Sequence, residues 1–192
     1  MTKLLTGTTL AISMLALIVL WLCPASADSG AEYTIIKTIV PLKIDGKLND
    51  IVWEYAAPAE LALTNNRTKV TKKTTAYAVY DDNFIYVGFH RFDKDIKNLT
   101  TNAATRDGSV WEDDEFELFL DPDHDHVTYW QICINSANVI WDCENKGGGC
   151  DGAGNIKWET ATSIGAKEDW FAEIKVAHKE IGAKQAPKPG EV

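Results

Sequence analysis

Side chains suited to binding are concentrated between Arg106 and Asn135, where the chain reads RDGSVWEDDEFELFLDPDHDHVTYWQICIN. Trp111 lies in a polar, acid-rich approach, so burial is a poor explanation for its large ring, which suits an exposed aromatic platform. Glu115–Leu120 and Thr128–Asn135 then alternate with a period of two, the signature of half-buried strands. Phe116, Leu118, Leu120, Trp130, Ile132 and Ile134 fall on one face, and Glu115, Glu117, Phe119, Tyr129, Gln131, Cys133 and Asn135 on the other. A turn symmetric about His124 would set residue 117 opposite 131 and residue 115 opposite 133, close enough to share one ligand. A pyranose presents axial hydrogens on its ring faces and hydroxyls around its rim. Holding one therefore needs an aromatic plane and planar hydrogen-bonding groups, which Trp111, Glu117 and Gln131 supply. Alternation alone adds Tyr129 and Asn135 as carbohydrate-binding candidates.

The same residues suggest two other chemistries. Glu115 with Glu117, or Asp113 with Asp114, offers paired carboxylates of the kind that cleave glycosidic bonds. Glu115 and Glu117 are neighbours on one strand, however, and would flank one patch rather than face each other across a cleft. Hydrolysis therefore ranks behind binding, and no catalytic residue is assigned. The run Asp121, Asp123, His124, Asp125, His126 resembles the start of a calcium loop, but His126 occupies the place of the required glycine and Ile132 that of the bidentate glutamate. A solvated hairpin turn is the better reading.

These elements sit in an exported chain. Lys3, an apolar run from Leu10 to Leu22 and Ala25-Ser26-Ala27 form a secretory signal, with cleavage expected after Ala27. The apolar run is shorter than the roughly 20 residues of a membrane span, so no membrane anchor is expected to remain after cleavage. The location is periplasmic or extracellular. Lys3 is the sole charge in residues 1–27, so the 165 residues from Asp28 onward carry 18 Lys and Arg against 28 acids, a net charge of −10. Nucleic acid, which demands clustered cations, is excluded as a partner. Residues 28–192 suit one domain. Three of the four cysteines lie in it, and Cys143 and Cys150 flank the flexible ENKGGG, so they can pair or all three can stay thiols. Pairing would leave Cys133 free.

Along the chain, Tyr33–Val40 reads as a first strand stopped by Pro41, and Asp45-Gly46 as a tight turn between Ile44 and Leu48. Trp53 and Tyr55 begin a short helical turn or irregular segment that ends near Pro58, with Trp53 in the core. After a polar link from Asn65 to Lys73, Thr74–Tyr80 and Phe84–His90 form a hairpin about Asp81-Asp82-Asn83, with Ile85, Val87 and Phe89 on one face. A long polar loop, Arg91–Gly108, delivers Trp111. Asn138–Trp141 returns as a short strand before a glycine-rich loop from Cys143 to Gly154. Ile156–Thr162 and Trp170–Val176 make a last hairpin, Lys179–Ile181 a helical turn, and the tail QAPKPGEV a loop. Trp141 and Trp158 read as core. Short strands between Gly, Asp and Asn turns, with no sustained helical period, define an all-β antiparallel sandwich.

Five stretches, taken in order, resemble the family 9 carbohydrate-binding modules: VPLKIDGKLNDIVWEYA, TTAYAVYDDNFIYVGFH, RDGSVWEDDEFELFLDP, YWQICIN and DWFAEIKVAHKEIG. The resemblance covers nearly all of residues 28–192. It implies a jelly-roll-like β-sandwich that binds oligo- or polysaccharide without catalysis, requires no cofactor for that task, and is appended to a secreted polysaccharide-degrading enzyme or another exported domain, catalytic or membrane-barrel. It also implies that Trp111 is one of two clamping tryptophans, that Glu117 bonds sugar hydroxyls, and that structural calcium is held nearby, with Asp113 and Asp114 as weak ligand candidates. Related sandwiches bind haem through methionine and histidine, but Met1 and Met14 both lie in the signal. This chain departs from the pattern twice. Cys133 stands where the family places an arginine, and the chain stops at Gly190-Glu191-Val192, where the family continues to the second tryptophan. A sandwich incomplete at one edge is the expectation, with a sugar-free docking domain of a larger protein as the alternative.

Overall fold

The computed structural model describes residues 33–61, 72–150 and 154–188. The expected signal at residues 1–27 and much of the polar link lie outside the described residues. Among the described residues, nine strands form two sheets. The larger contains β1 (Ile36–Lys37), β2 (Ala59–Glu60), β3 (Thr74–Tyr80), β4 (Phe84–Phe92), β8 (Trp158–Ile164) and β9 (Asp169–Ala177). Its order is β1-β3-β4-β9-β8, with β2 also on β3. The smaller is a meander of β5 (Glu115–Leu120), β6 (Thr128–Asn135) and β7 (Ile140–Lys146). All pairings are antiparallel except β1 with β3. The expected all-β sandwich is therefore the observed one.

The two sheets meet through the predicted apolar faces. Val87 and Phe89 of β4 and Trp170, Ala172, Ile174 and Val176 of β9 pack with Phe116, Ile132 and Ile134 of the small sheet. Phe116 is the central wedge, stacked on Phe89 at 4.5 Å and on Trp170 at 4.2 Å between ring centroids. Truncating it to alanine would cost about 3–5 kcal/mol.

The outer face of the large sheet is closed by the segment before β3, which inserts Leu42, Val52, Trp53 and Ala56 against Val79 and Tyr86. A buried carboxylate fastens it. Glu173 Oε2 accepts from the backbone N–H of Asp45 and Gly46 at 2.8 and 2.7 Å, and Oε1 from Trp53 Nε1 at 3.0 Å. Gly46 has φ +73°, and a Cβ there would meet the Thr162 backbone at 2.7 Å, so only glycine fits the turn.

The boundaries of β1 and β7 depart furthest from the sequence reading. The first strand is two residues long, because Thr38 turns its hydroxyl onto the Val40 backbone and Ile39 and Val40 are left exposed. The return strand β7 runs on to Lys146, into what reads as a loop. Its Asp142 is fully buried yet satisfied: Ile156 N and Trp158 Nε1 donate to it at 3.1 Å each, and Arg106 donates from the long loop. Trp158 packs against the core, as expected.

Candidate functional site

The face of the small sheet turned away from the core carries three strand-crossing rows. Register places Glu117 opposite Cys133 and Cys133 opposite Trp141, then Phe119 opposite Gln131 and Gln131 opposite Cys143, then Tyr129 opposite Asn145. The symmetric-turn register is thus corrected by two residues: 117 faces 133, not 131, and 115 faces 135, not 133. A shift of two keeps every side chain on its predicted face, whereas a shift of one would have inverted the sheet. Glu117 and Gln131 still meet, along the diagonal, with Gln131 Nε2 donating to Glu117 Oε1 at 2.5 Å. Cys133 also donates to Glu117 Oε1, at 3.3 Å.

One end of this face is roofed by the loop before β5. Val110 is fully buried with Ala103 and Cys133, and it anchors a 3-10 turn, Val110–Glu112, that puts Trp111 at the surface. Trp111 is 51% exposed, with its ring edge-to-face with Trp141 at 5.3 Å. Trp141, read from sequence as core, therefore belongs to the face. The missed signal was strand parity: a residue opposite outward-facing Cys133 must also face outward.

Asn135 is a correction of a different kind. It lies on the predicted side but is fully buried beneath the loop. Its Nδ2 donates to Asp113 Oδ2 at 2.8 Å, and its Oδ1 accepts from Val139 N at 2.8 Å and Ala137 N at 3.1 Å. It positions the loop and cannot touch a ligand.

Asp113 and Asp114 do not fit a calcium ion as arranged, because every oxygen of the two faces an N–H donor. Asp113 accepts from Asn102 N, Ala103 N and Asn135, and Asp114 from Thr100 N and Arg91. A calcium site needs oxygens converging on one point. Asp121, Asp123 and Asp125 bring oxygens within 4.8 Å of one another in the β5–β6 turn. Both oxygens of Asp121 and Oδ1 of Asp125 accept from backbone N–H groups there, and Asp125 Oδ2 accepts from the Thr128 hydroxyl. Such capping is what a hydrogen-bonded hairpin turn requires.

Cys143 and Cys150 are joined in a disulfide, and Cys133 is a buried free thiol. The bridge lies on the same face, with Cys150 Sγ 3.3 Å from Gln131 Oε1. Glu115, at the covered end, is pushed up to about 7 by burial and, secondarily, by the charge of Glu117. Burial and Glu117 likewise push the Cys133 thiol up, so it is a proton donor here and not a nucleophile. Glu115 and Glu117 share one strand face, without a second carboxylate wall opposite. A shallow cavity of about 460 Å³, bounded by Phe84, Lys157, His178 and Lys184 among others, shares no residue with this face.

Fold and face together define a β-sandwich binding module. Residues 44–189 match the carbohydrate family 9 binding domain-like family, and the chain belongs to that family. It is similar to a family 9 carbohydrate-binding module from Caldicellulosiruptor kristjanssonii in complex with cellotriose, at TM-score 0.59 and 17% identity over 82% of this chain and 70% of that one. The glucose complex of a module from the same organism gives 0.55 and 18%, over 74% and 68% of the two chains. The chain is also 28% identical over 124 residues, 63% of its length, to endo-1,4-beta-xylanase A of Thermoanaerobacterium saccharolyticum. It spans 10% of that enzyme.

Proposed function

We propose that this chain is a non-catalytic carbohydrate-binding module whose ligand lies on the open face of the small sheet. The observation that carries the reading is the half-exposed Trp111 ring, seated on Trp141 at the end of the face where Glu117 lies across Cys133 and bonds Gln131, an apolar plane on the same face as a fixed array of hydrogen-bonding groups. Sugar hydroxyls would bond the carboxyl group of Glu117 and the amide of Gln131, while a ring face stacks on Trp111 with Trp141 as its support. Tyr129 adds a third aromatic at the far end. The task needs no cofactor. Export is supported by the charge and hydropathy of residues 1–27, and among the described residues no helix is long and apolar enough to cross a membrane. Attachment to a polysaccharide-degrading enzyme is supported by the similarity to a segment of a xylanase.

A docking domain without sugar affinity is the second reading, favoured by one observation: Cys133 is buried in the middle of the face and offers a ligand no cation. Affinity electrophoresis in gels containing soluble β-glucan or xylan separates the two. Retardation that is lost in Glu117→Ala, with no release of reducing sugar, supports binding without hydrolysis. Unretarded migration in every polysaccharide supports docking, and sugar release abolished by Glu117→Gln would mean an enzyme.

A further inference from the structure

We propose that Phe119 and Tyr129 form a second aromatic platform, so that the module takes a neutral oligosaccharide stretched along β6 rather than one terminal sugar. The proposal rests on the function proposed above and specifies its ligand. Phe119 is 52% exposed, a large apolar ring on the solvent side of a strand. It meets Tyr129 edge-to-face at 5.6 Å, so the two rings make one apolar surface across β5 and β6. Tyr129 is held in place, since Asn145 Nδ2 donates to its hydroxyl at 2.7 Å. Asn145 is buried and fixed in turn, its Oδ1 accepting from Gly147 N at 2.8 Å within the disulfide-closed loop. The phenol keeps its own proton to donate to a ligand.

Spacing gives the ligand its length. The row holding Glu117 and Trp141 and the row holding Tyr129 are four residues apart along β6, or about 13 Å at about 3.3 Å per residue. No single pyranose ring reaches both ends. Between them lies the row of Phe119, Gln131 and Cys143, so hydrogen-bonding groups, Glu117 in the first row and Gln131 in the middle one, are interleaved with aromatic rings along the face, as a short chain of pyranose rings interleaves ring faces and hydroxyls. Charge gives the ligand its class. Glu117 lies in the Trp141 row and Asp121, Asp123 and Asp125 cluster just beyond Phe119, a field that repels a uronate-rich glycan and tolerates a neutral one.

The test is calorimetric titration of wild type, Phe119→Ala, Tyr129→Phe and Trp111→Ala with β-1,4-linked gluco- and xylo-oligosaccharides, from monosaccharide to hexasaccharide. Phe119 is exposed, and far-ultraviolet circular dichroism verifies that its variant folds. Wild-type affinity is expected to rise with chain length, and Phe119→Ala to lose roughly three- to tenfold on the longer chains with little change on the shortest. Tyr129→Phe should lose a smaller part of the same increment, and Trp111→Ala should weaken every length. Affinity independent of length, or long-chain binding unchanged in Phe119→Ala while Trp111→Ala abolishes it, would overturn the second platform and leave the proposed function standing. Wild type that binds no member of either series overturns both.

Discussion

Asn135 Nδ2 donates to Asp113 Oδ2 at 2.8 Å across 22 residues of chain, and this bond ties the loop bearing Trp111 to the strand bearing Gln131. Asn135 is fully buried, and Asp113, partly buried, also accepts from the backbone N–H groups of Asn102 and Ala103. Asn135→Ala should lower unfolding free energy by about 1–3 kcal/mol, the cost of losing a buried amide's hydrogen bonds, one of them to a carboxylate. The urea midpoint measures this. Because the loop would loosen with Trp111 on it, a red shift of the native tryptophan emission should accompany the loss, whereas an unshifted spectrum would mean that the loop is held by its other contacts.

The Cys143–Cys150 bridge closes a loop over a sequence separation of 7, worth about 2.5 kcal/mol in the chain-entropy account. Cys150→Ser should therefore lower the melting temperature by roughly 5–10 °C at this chain length. Reductant should do the same to wild type and nothing further to the variant. A wild-type melting temperature indifferent to reductant would contradict the assignment.

Glu115 predicts a pH dependence whose sign is fixed by burial. Its ordinary value is 4.5 and its folded value about 7, so the unfolded chain ionises first as pH rises. The stability this group contributes is complete below pH 4.5, declines between 4.5 and 7 as the unfolded state alone gives up its proton, and is constant above 7. Glu115→Gln removes the decline. The variant's melting temperature relative to wild type should therefore rise across that window, other carboxylates cancelling in the difference, and parallel curves would show that Glu115 ionises normally.

Much of this architecture is legible in the sequence. The hairpin β5–β6 and the inner faces of β4 and β9 turn alternate apolar residues to the core, and a period of two records that directly. What escaped depends on partners distant in the chain. Asp142 to Asn145 read as loop because polar residues in a central run look unpaired, and the Arg106 that satisfies Asp142 lies 36 residues away. Ile39 and Val40 have strand propensity but no strand to pair with. The register erred by two because the turn between β5 and β6 is centred on Asp125, with His124 and His126 both in the left-handed region, which symmetry about His124 could not reveal. Asn135 was given to the ligand because alternation reports a side chain's face but not what covers that face.

The central claim is that a sugar stacks on Trp111. Titration with β-1,4-linked oligosaccharides, followed by tryptophan emission in wild type and in Trp111→Ala, tests it most directly. A saturable spectral change is predicted for wild type, with affinity weakened at least about tenfold, or ~1.4 kcal/mol, in the variant. Equal affinity in the two proteins, or no response of wild type to any sugar, would contradict it.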